Sequence, residues 1–433
     1  MIKQENKILI ITYYWPPAGG PGVQRWLKFS KYLPDFGWEP IIYTPENPSY
    51  PLLDESLMKD VPENLEIIKT KIWEPYQLAE KLNRSNKKFK AGQFDVGQHQ
   101  SWKSRLSIWV RGNFFIPDAR VFWVKPSTKF LKQYLKDNTI DVIVTSGPPH
   151  SLHLIGLNLK KQFPDIKWIA DFRDPWTEIS YYKHLKLTKK SDNKHRHLER
   201  EVFKNADITL ATSYTDAENF RKNGANAFCI TNGFDESDAL QKPYDSKADK
   251  NHFTLSYIGV LEQLRNPENL WKALDELIKS NAEFAENFNL KFVGRTDDKI
   301  LNSIENSSLK NHIQNLGYLS HNEAIDEMAT SSLLLITNFP NDSSKGIIPG
   351  KIFEYLAAGK QIISFGPSEA DVSKILKETQ SGRHFSYQDS ESVKSFITET
   401  FNLWKTGNLT ENTRNIEQFS RKNLTKQLAD ILN

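Results

Sequence analysis

At 433 residues the chain exceeds what one hydrophobic core usually serves, so two domains are expected. A hydrophobic content of 38% and a charged content of 25% suit a globular protein that folds in water, and they exclude a disordered or fibrous class. The formal net charge is +4, the single cysteine, Cys229, excludes an intrachain disulfide, and Met1 to Lys7 lead straight into a strand with no apolar leader, so a cytoplasmic protein without a bilayer-spanning run is expected.

The first strand, Ile8 to Thr12, opens onto Tyr13-Tyr14-Trp15-Pro16-Pro17-Ala18-Gly19-Gly20-Pro21-Gly22. A helix to about Leu33 and a second strand, Pro40 to Thr44, complete a βαβ pattern that begins a Rossmann-like sheet. The loop is not a dinucleotide fingerprint. Its glycines, Gly19 and Gly20, are adjacent, and no acidic residue closes the second strand before Pro45. Pro45 to Val110 is polar, basic and poorly periodic, and reads as a large excursion with short helices. Between Lys71 and Lys136 stand fourteen Lys/Arg and four acids, 14 − 4 = +10, which leaves 4 − 10 = −6 for the remainder. Trp102, Trp109, Phe114, Phe115, Phe122 and Trp123 are interleaved with these cations. That mixture suits an anionic membrane surface, and it also suits a solvated basic face over a buried aromatic core. Nucleic acid would be drawn to the same charge; the reading adopted has no nucleic-acid partner and contact with the inner membrane surface through 71–136. Ile116 to Trp123 is compact and aromatic ahead of a helix from about Pro126 to Lys136, and reads as an acceptor or membrane rim.

Strand Asp141 to Thr145 runs into Ser146-Gly147-Pro148-Pro149-His150-Ser151 and a helix ending near Lys161. Strand Trp168 to Ala170 carries Asp171-Phe172-Arg173-Asp174-Pro175-Trp176 at its tip. Two consecutive strand ends therefore present His150 and an Asp-x-Arg-Asp cluster, and ligands of open parallel sheets bind at such ends. His150, Asp171, Arg173 and Asp174 are the catalytic candidates; an internal salt bridge that shapes the turn is the other reading of the acidic cluster. Strands Ile208 to Thr212 and Ala227 to Ile230 finish this half, and polar Glu236 to Asn251 reads as a linker.

The second half opens with strand Phe253 to Gly259, then Val260-Leu261-Glu262-Gln263-Leu264-Arg265 and a helix through Asn269, Leu270, Leu274 and Leu277. Segments Leu290 to Gly294, Ile313 to Tyr318 and Leu333 to Thr337 continue the alternation, and a loop from Asn338 to Ser344 follows. Lys345-Gly346-Ile347-Ile348-Pro349-Gly350-Lys351 then leads into a short helix closed by Gly359. Helical spacing buries Ile352, Phe353, Leu356 and Ala357, and leaves Lys351, Glu354 and Tyr355 outside that face. A glycine-flanked strand-loop-helix directs backbone N–H groups at one spot suited to a phosphate, with Glu354 able to accept from a diol such as a ribose. A plain crossover with a solvated Glu354 is the other reading. Strand Gln361 to Ser364 follows, and the tail from Ser392 is helical with Leu424, Leu428 and Leu432 in register.

Glu354-Tyr355-Leu356-Ala357-Ala358-Gly359 resembles the donor segment of GT-B glycosyltransferases of family 4, and Ser-Gly-Pro-Pro-His and Asp-Phe-Arg-Asp-Pro-Trp resemble a bacterial subgroup of them. The family places a first glutamate where this chain has Gly346, and an arginine where it has Val260; Arg265 matches the following lysine position by place. A guanidinium can hold phosphate bidentately, with Lys345 or Lys351 supplying further charge. Leu316-Gly317-Tyr318 resembles the family's base-stacking stretch, and Thr231 to Asp235 its domain crossover. The resemblance implies an α/β protein of GT-B fold, two Rossmann-like domains facing across a cleft: 1–235 on the acceptor side, 252–405 for the nucleotide sugar, and a tail, 406–433, packing on the first domain. It implies donor contacts from Gly19, Gly20, Arg265, Lys345, Gly346, Ile347, Ile348, Lys351 and Glu354. No metal site or separate cofactor is expected; the donor is a nucleotide-diphosphate sugar, and the implied reaction is retaining transfer to a lipid-linked or oligosaccharide acceptor. A nucleotide-sugar 2-epimerase and a non-catalytic sugar-nucleotide scaffold are the alternatives.

Overall fold

The computed structural model describes residues 6–75, 102–179, 182–236, 251–409 and 413–433. The chain divides into two compact units, Met1–Thr231 with Leu424–Asn433, and Asn232–Asn423.

In the first unit β1 (Asn6–Ile11), α1 (Pro21–Tyr32) and β2 (Trp38–Pro45) are followed by β3 (Glu66–Thr70), α2 (Trp102–Phe114) and α3 (Val121–Asp137). Then come β4 (Val142–Gly147), α4 (Ser151–Gln162), β5 (Lys167–Phe172), α5 (Lys189–Asn205), β6 (Ile208–Ala211), α6 (Tyr214–Lys222) and β7 (Ala227–Cys229). The strands form one sheet in the order β3-β2-β1-β4-β5-β6-β7, parallel throughout. Because strand side chains alternate, Leu9 and Ile11 enter one core while Ile8 and Ile10 enter the other, so the sheet is covered on both faces. Leu424, Leu428 and Leu432 of the last helix (Arg421–Leu432) belong to this second core, as their spacing predicts.

Two expectations for this unit change. The excursion after Pro45 contains a sheet strand, β3, whose Glu66-Ile67-Ile68-Lys69 is too short and too charged to stand out from a polar segment. Part of that excursion, 76–101, lies outside the described residues, as does 237–250 of the expected linker. Helix α3 begins at Val121 rather than Pro126, because Trp123 and Val124 extend the buried stripe of Ser127, Leu131 and Leu135 past the proline. The Ile116–Trp123 segment, expected to form an acceptor or membrane rim, is anchored on the core at Arg120 and Trp123. Trp123 is buried and stacks on Tyr43 at 5.1 Å, and Arg120 is buried against Glu74 at 3.0 Å. Tyr13 donates to the same carboxylate at 2.9 Å and Ser49 N–H to its other oxygen at 2.7 Å, so one cation of the basic stretch is consumed internally.

The second unit contains β8 (Phe253–Ile258), α7 (Glu268–Ser280), α8 (Ala282–Asn287), β9 (Phe288–Val293), α9 (Asp298–Glu305), β10 (Ile313–Gly317) and α10 (His321–Thr330). It continues with β11 (Leu333–Thr337), α11 (Lys351–Ala357), β12 (Gln361–Phe365), α12 (Asp371–Thr379), β13 (Gly382–Phe385) and α13 (Glu391–Lys405). Its sheet order is β10-β9-β8-β11-β12-β13, again wholly parallel. The tail is two helices, α13 and α14 (Arg421–Leu432). Phe234 and Ser420 form a β-bridge inside this unit, pinning the entering segment beside the leaving one.

Both sheets reverse direction of growth at one place, between β1 and β4 in the first unit and between β8 and β11 in the second. Loops leaving the two central strands there diverge to opposite faces, which opens a crevice at the carboxyl ends. Those four loops hold Gly19, Gly20, His150, Arg265 and the segment from Lys345 to Lys351, while Asp171, Arg173 and Asp174 belong to the end of the neighbouring strand β5.

Candidate functional site

In the second unit the loop after β8 starts at Gly259, whose φ is +127°. A side chain there would place its Cβ 3.0 Å from the Lys351 ammonium, so the glycine leaves room for a cation. Lys351 donates to Ile258 O at 2.6 Å and lies 4.3 Å above the Tyr257 ring. Burial lowers its pKa to about 7, nearby Arg265 acts in the same sense, and Glu354 opposes them. Arg265 donates to Val260 O at 2.9 Å and to Glu262 at 3.2 Å, and its guanidinium lies 5.3 Å from the Phe339 ring. The structure therefore brings Arg265 and Lys351 to one loop, while Lys345 pairs with Asp342 at 3.3 Å. Gly346, Ile347 and Ile348 form the approach to α11; Ile347 is exposed, and its carbonyl accepts from Asn338 at 2.8 Å.

Tyr387 links the two loops of this crevice. Its hydroxyl lies 2.6 Å from Asn338 O and 3.2 Å from Arg265 O, so the ends of β11 and of the β8 loop share one donor. No local pattern marks it, since it stands 122 residues from Arg265. Helix α11 spans seven residues and Glu354 on it is exposed, as its spacing predicts. Tyr355 is a correction: it is fully buried, because a helix this short packs on more than one side and admits Tyr355 beside Ile352, Phe353 and Leu356.

In the first unit His150 closes the β4 loop and is 7% exposed. Its ring stacks on Trp176 at 5.2 Å with planes 4° apart, and both ring nitrogens lack a partner among the described residues. Burial, then His153 and Arg173, hold its pKa well below the usual 6.5, so the ring is neutral and offers one donor and one acceptor. His153 behind it is likewise neutral, lowered to about 3 by burial, with Thr145 Oγ1 at 2.9 Å.

Arg173 is spent on backbone. It donates to Gly22 O at 2.8 Å and to Pro148 O, and its guanidinium lies 5.6 Å from the Tyr14 ring. It thereby joins the loops after β1 and β4 beside His150. A Cβ on Gly22 would stand 2.5 Å from its Nη1, so Gly22 is the glycine this contact requires. Gly19 instead lies against Leu52, and Gly20, at φ +91°, precedes α1.

Asp171 departs from its expected place at a loop tip. Strand β5 runs two residues further than its apolar run indicates, so Asp171 is inside the strand and fully buried. Arg25 pairs with it at 3.0 Å, Trp26 Nε1 donates at 2.7 Å and Ser146 Oγ at 3.0 Å. Arg25 also donates to Ile230 O and Thr231 O, so this pair fastens α1 to the far end of the sheet. Asp174, beyond the strand, is exposed.

Residues 241–422 match the family model of glycosyl transferases group 1. No curated protein matches the chain. Among solved structures, a glycosyltransferase from Rickettsia africae is 14% identical with a TM-score of 0.56, covering 99% of this chain and 98% of its own. Anabaena Alr3699/HepE in complex with UDP is 14% identical with a TM-score of 0.59, covering 98% and 99%. A sucrose-phosphate synthase from Thermosynechococcus elongatus is 14% identical with a TM-score of 0.54, covering 98% and 98%.

Proposed function

We propose that this GT-B glycosyltransferase, whose residues 241–422 match the model of glycosyl transferases group 1, moves a sugar from a nucleotide-diphosphate donor to a lipid-linked or oligosaccharide acceptor. The observation that carries the donor assignment is the pairing of Arg265 and Lys351 around Gly259 at the switch point of the second sheet. As the sugar leaves, charge builds on the diphosphate, and cations held in fixed positions stabilise it more than mobile ones in water. Arg265, Lys351 and Lys345 take this part without a metal, and Glu354 accepts from the ribose. UDP is the first nucleotide to test, since the similar Anabaena structure holds it.

The first unit binds the acceptor. Neutral His150 exchanges hydrogen bonds with a sugar hydroxyl, Asp174 accepts from another, and Arg173 positions both loops. Asp171 is a positioning residue held by Arg25. Transfer proceeds with retention at the anomeric carbon. The acceptor is met at the inner membrane surface, where the exposed aromatics Trp109 and Phe114 of α2 accompany the basic residues of 71–136. No helix among the described residues is long and apolar enough to cross a bilayer.

The test is nucleoside-diphosphate release and donor binding across UDP-, GDP- and dTDP-sugars, with and without a membrane lipid extract. Lipid-dependent release with one donor, abolished in Lys351→Met, is the expected result. Product formed from donor alone would replace transfer by epimerisation, and absence of binding to every donor would end the proposal.

A further inference from the structure

Helices α3 and α4 form a flank of the first unit that the transfer chemistry does not use. Lys125, Lys129 and Lys132 recur at intervals of four and three, so they share one side of α3. With Asn158, Lys161 and Gln162 of α4 they line a groove of about 480 Å³. The three α3 lysines are exposed and make no ion pair among the described residues, while Lys161 reaches Glu201 only at 3.8 Å. The groove therefore holds cations without matching acids. Beside it on α3, Phe122 and Phe130 are 43% and 41% exposed, and Phe122 meets the exposed Trp73 edge-on at 4.7 Å.

Free lysines alone would serve any polyanion. The groove lining holds no ring on which a base could stack, so a strand lying in it gains only its charge, whereas a bilayer reaches the lysines and the neighbouring rings together. At a bilayer, rings enter the headgroup layer while lysine stems lie along it and their ammonium groups reach phosphate. We propose that the α3–α4 groove docks the protein onto an anionic bilayer, with lipid phosphates in the groove and Phe122, Phe130 and Trp73 inserted beside it. This deepens the membrane part of the proposed function and rests on it. The groove draws on the end of α4 remote from His150, so docking is separable from donor chemistry.

The experiment is flotation of the full chain with phosphatidylcholine vesicles and with vesicles in which part of that lipid is replaced by phosphatidylglycerol. Binding is expected only to the anionic vesicles and falls steeply with salt. The triple variant Lys125→Gln, Lys129→Gln, Lys132→Gln loses about fivefold per lysine, about a hundredfold in all. The double variant Phe122→Ser, Phe130→Ser also weakens vesicle binding, and the triple Lys→Arg variant retains it, which controls for folding. Donor binding, read separately by calorimetry, is the same in all of them, so a failed donor assignment is distinguishable from failed docking. Equal binding to phosphatidylcholine, or anionic-vesicle binding untouched by the lysine variants, overturns the proposal. So does inorganic phosphate or a single-stranded oligonucleotide binding as tightly as the vesicles, with no effect of the phenylalanine variants.

Discussion

Lys351 carries a charge that its surroundings resist. Tyr257 lies beneath it, Arg265 faces it as a second cation, and Glu354 and the Ile258 carbonyl offer partial compensation. With a pKa lowered to about 7, the donor-free protein loses this proton near neutrality, while the unfolded chain keeps it to the ordinary lysine value of 10.5. The unfolded state thus binds more protons between those values, and stability rises with pH across that window. A bound diphosphate favours the ammonium form, so donor affinity moves in the opposite direction. Calorimetric donor titrations are expected to weaken as pH rises above about 7, by up to about tenfold per pH unit. Lys351→Arg flattens the profile with affinity retained, and Lys351→Met flattens it with affinity lost. A Lys351→Met profile that keeps the wild-type slope would show that another group titrates.

At the scale of elements, α4 starts without a cap of its own, because His150 at its N-cap makes no side-chain bond to the first turn. Asp118, from the loop before α3, supplies one: its carboxylate accepts from Ser151 N at 2.9 Å and from Ser151 Oγ at 2.8 Å. Asp118→Ala is expected to cost about 1 to 2 kcal/mol of stability. Since the freed turn carries His150, kcat/KM should fall further than the stability loss explains, with Asp118→Asn restoring part of both. Thermal unfolding and steady-state kinetics on the same preparations check this. The cap also shows what the sequence could and could not tell. Local periodicity identified β8, β11, β12 and the register of Leu424, Leu428 and Leu432, because each is set by neighbours in the chain. Glycine and proline marked the loops that hold His150 and Lys351. The contacts that decide what those loops do were invisible: Asp118 lies 33 residues from Ser151, and Arg25 lies 146 from Asp171. Asp171 read as a ligand-facing acid for that reason, although its partner was always a buried arginine. Gly22, set beside Gly19 and Gly20 in one loop, could be told apart from them only once Arg173 was placed against it.

Taken whole, the molecule is written out of order. The first unit needs Leu424–Asn433, and the second unit, Asn232–Asn423, lies in between. Leu428 is fully buried in the core that Ile8, Ile10 and Val144 also share. Leu428→Ala is expected to destabilise the first unit by about 2 to 5 kcal/mol. Denaturant melts followed by hydrogen exchange should assign the loss to β1, β2 and β4, leaving β8 to β13 protected as in the wild type.

That ordering bears on how the chain is born. After Thr231 leaves the ribosome, 423 − 231 = 192 further residues pass before Leu424 appears. At roughly 5 to 20 residues per second this interval lasts about 10 to 40 s. During it the first sheet has its strands and α1 but lacks the last helix, which shares with α1 the covering of one face, so a nascent chain stalled anywhere in the second unit presents an apolar surface to the cell. Chaperone capture of such stalled chains should therefore persist until residue 432 has cleared the exit tunnel, long after every strand of the first sheet has been made.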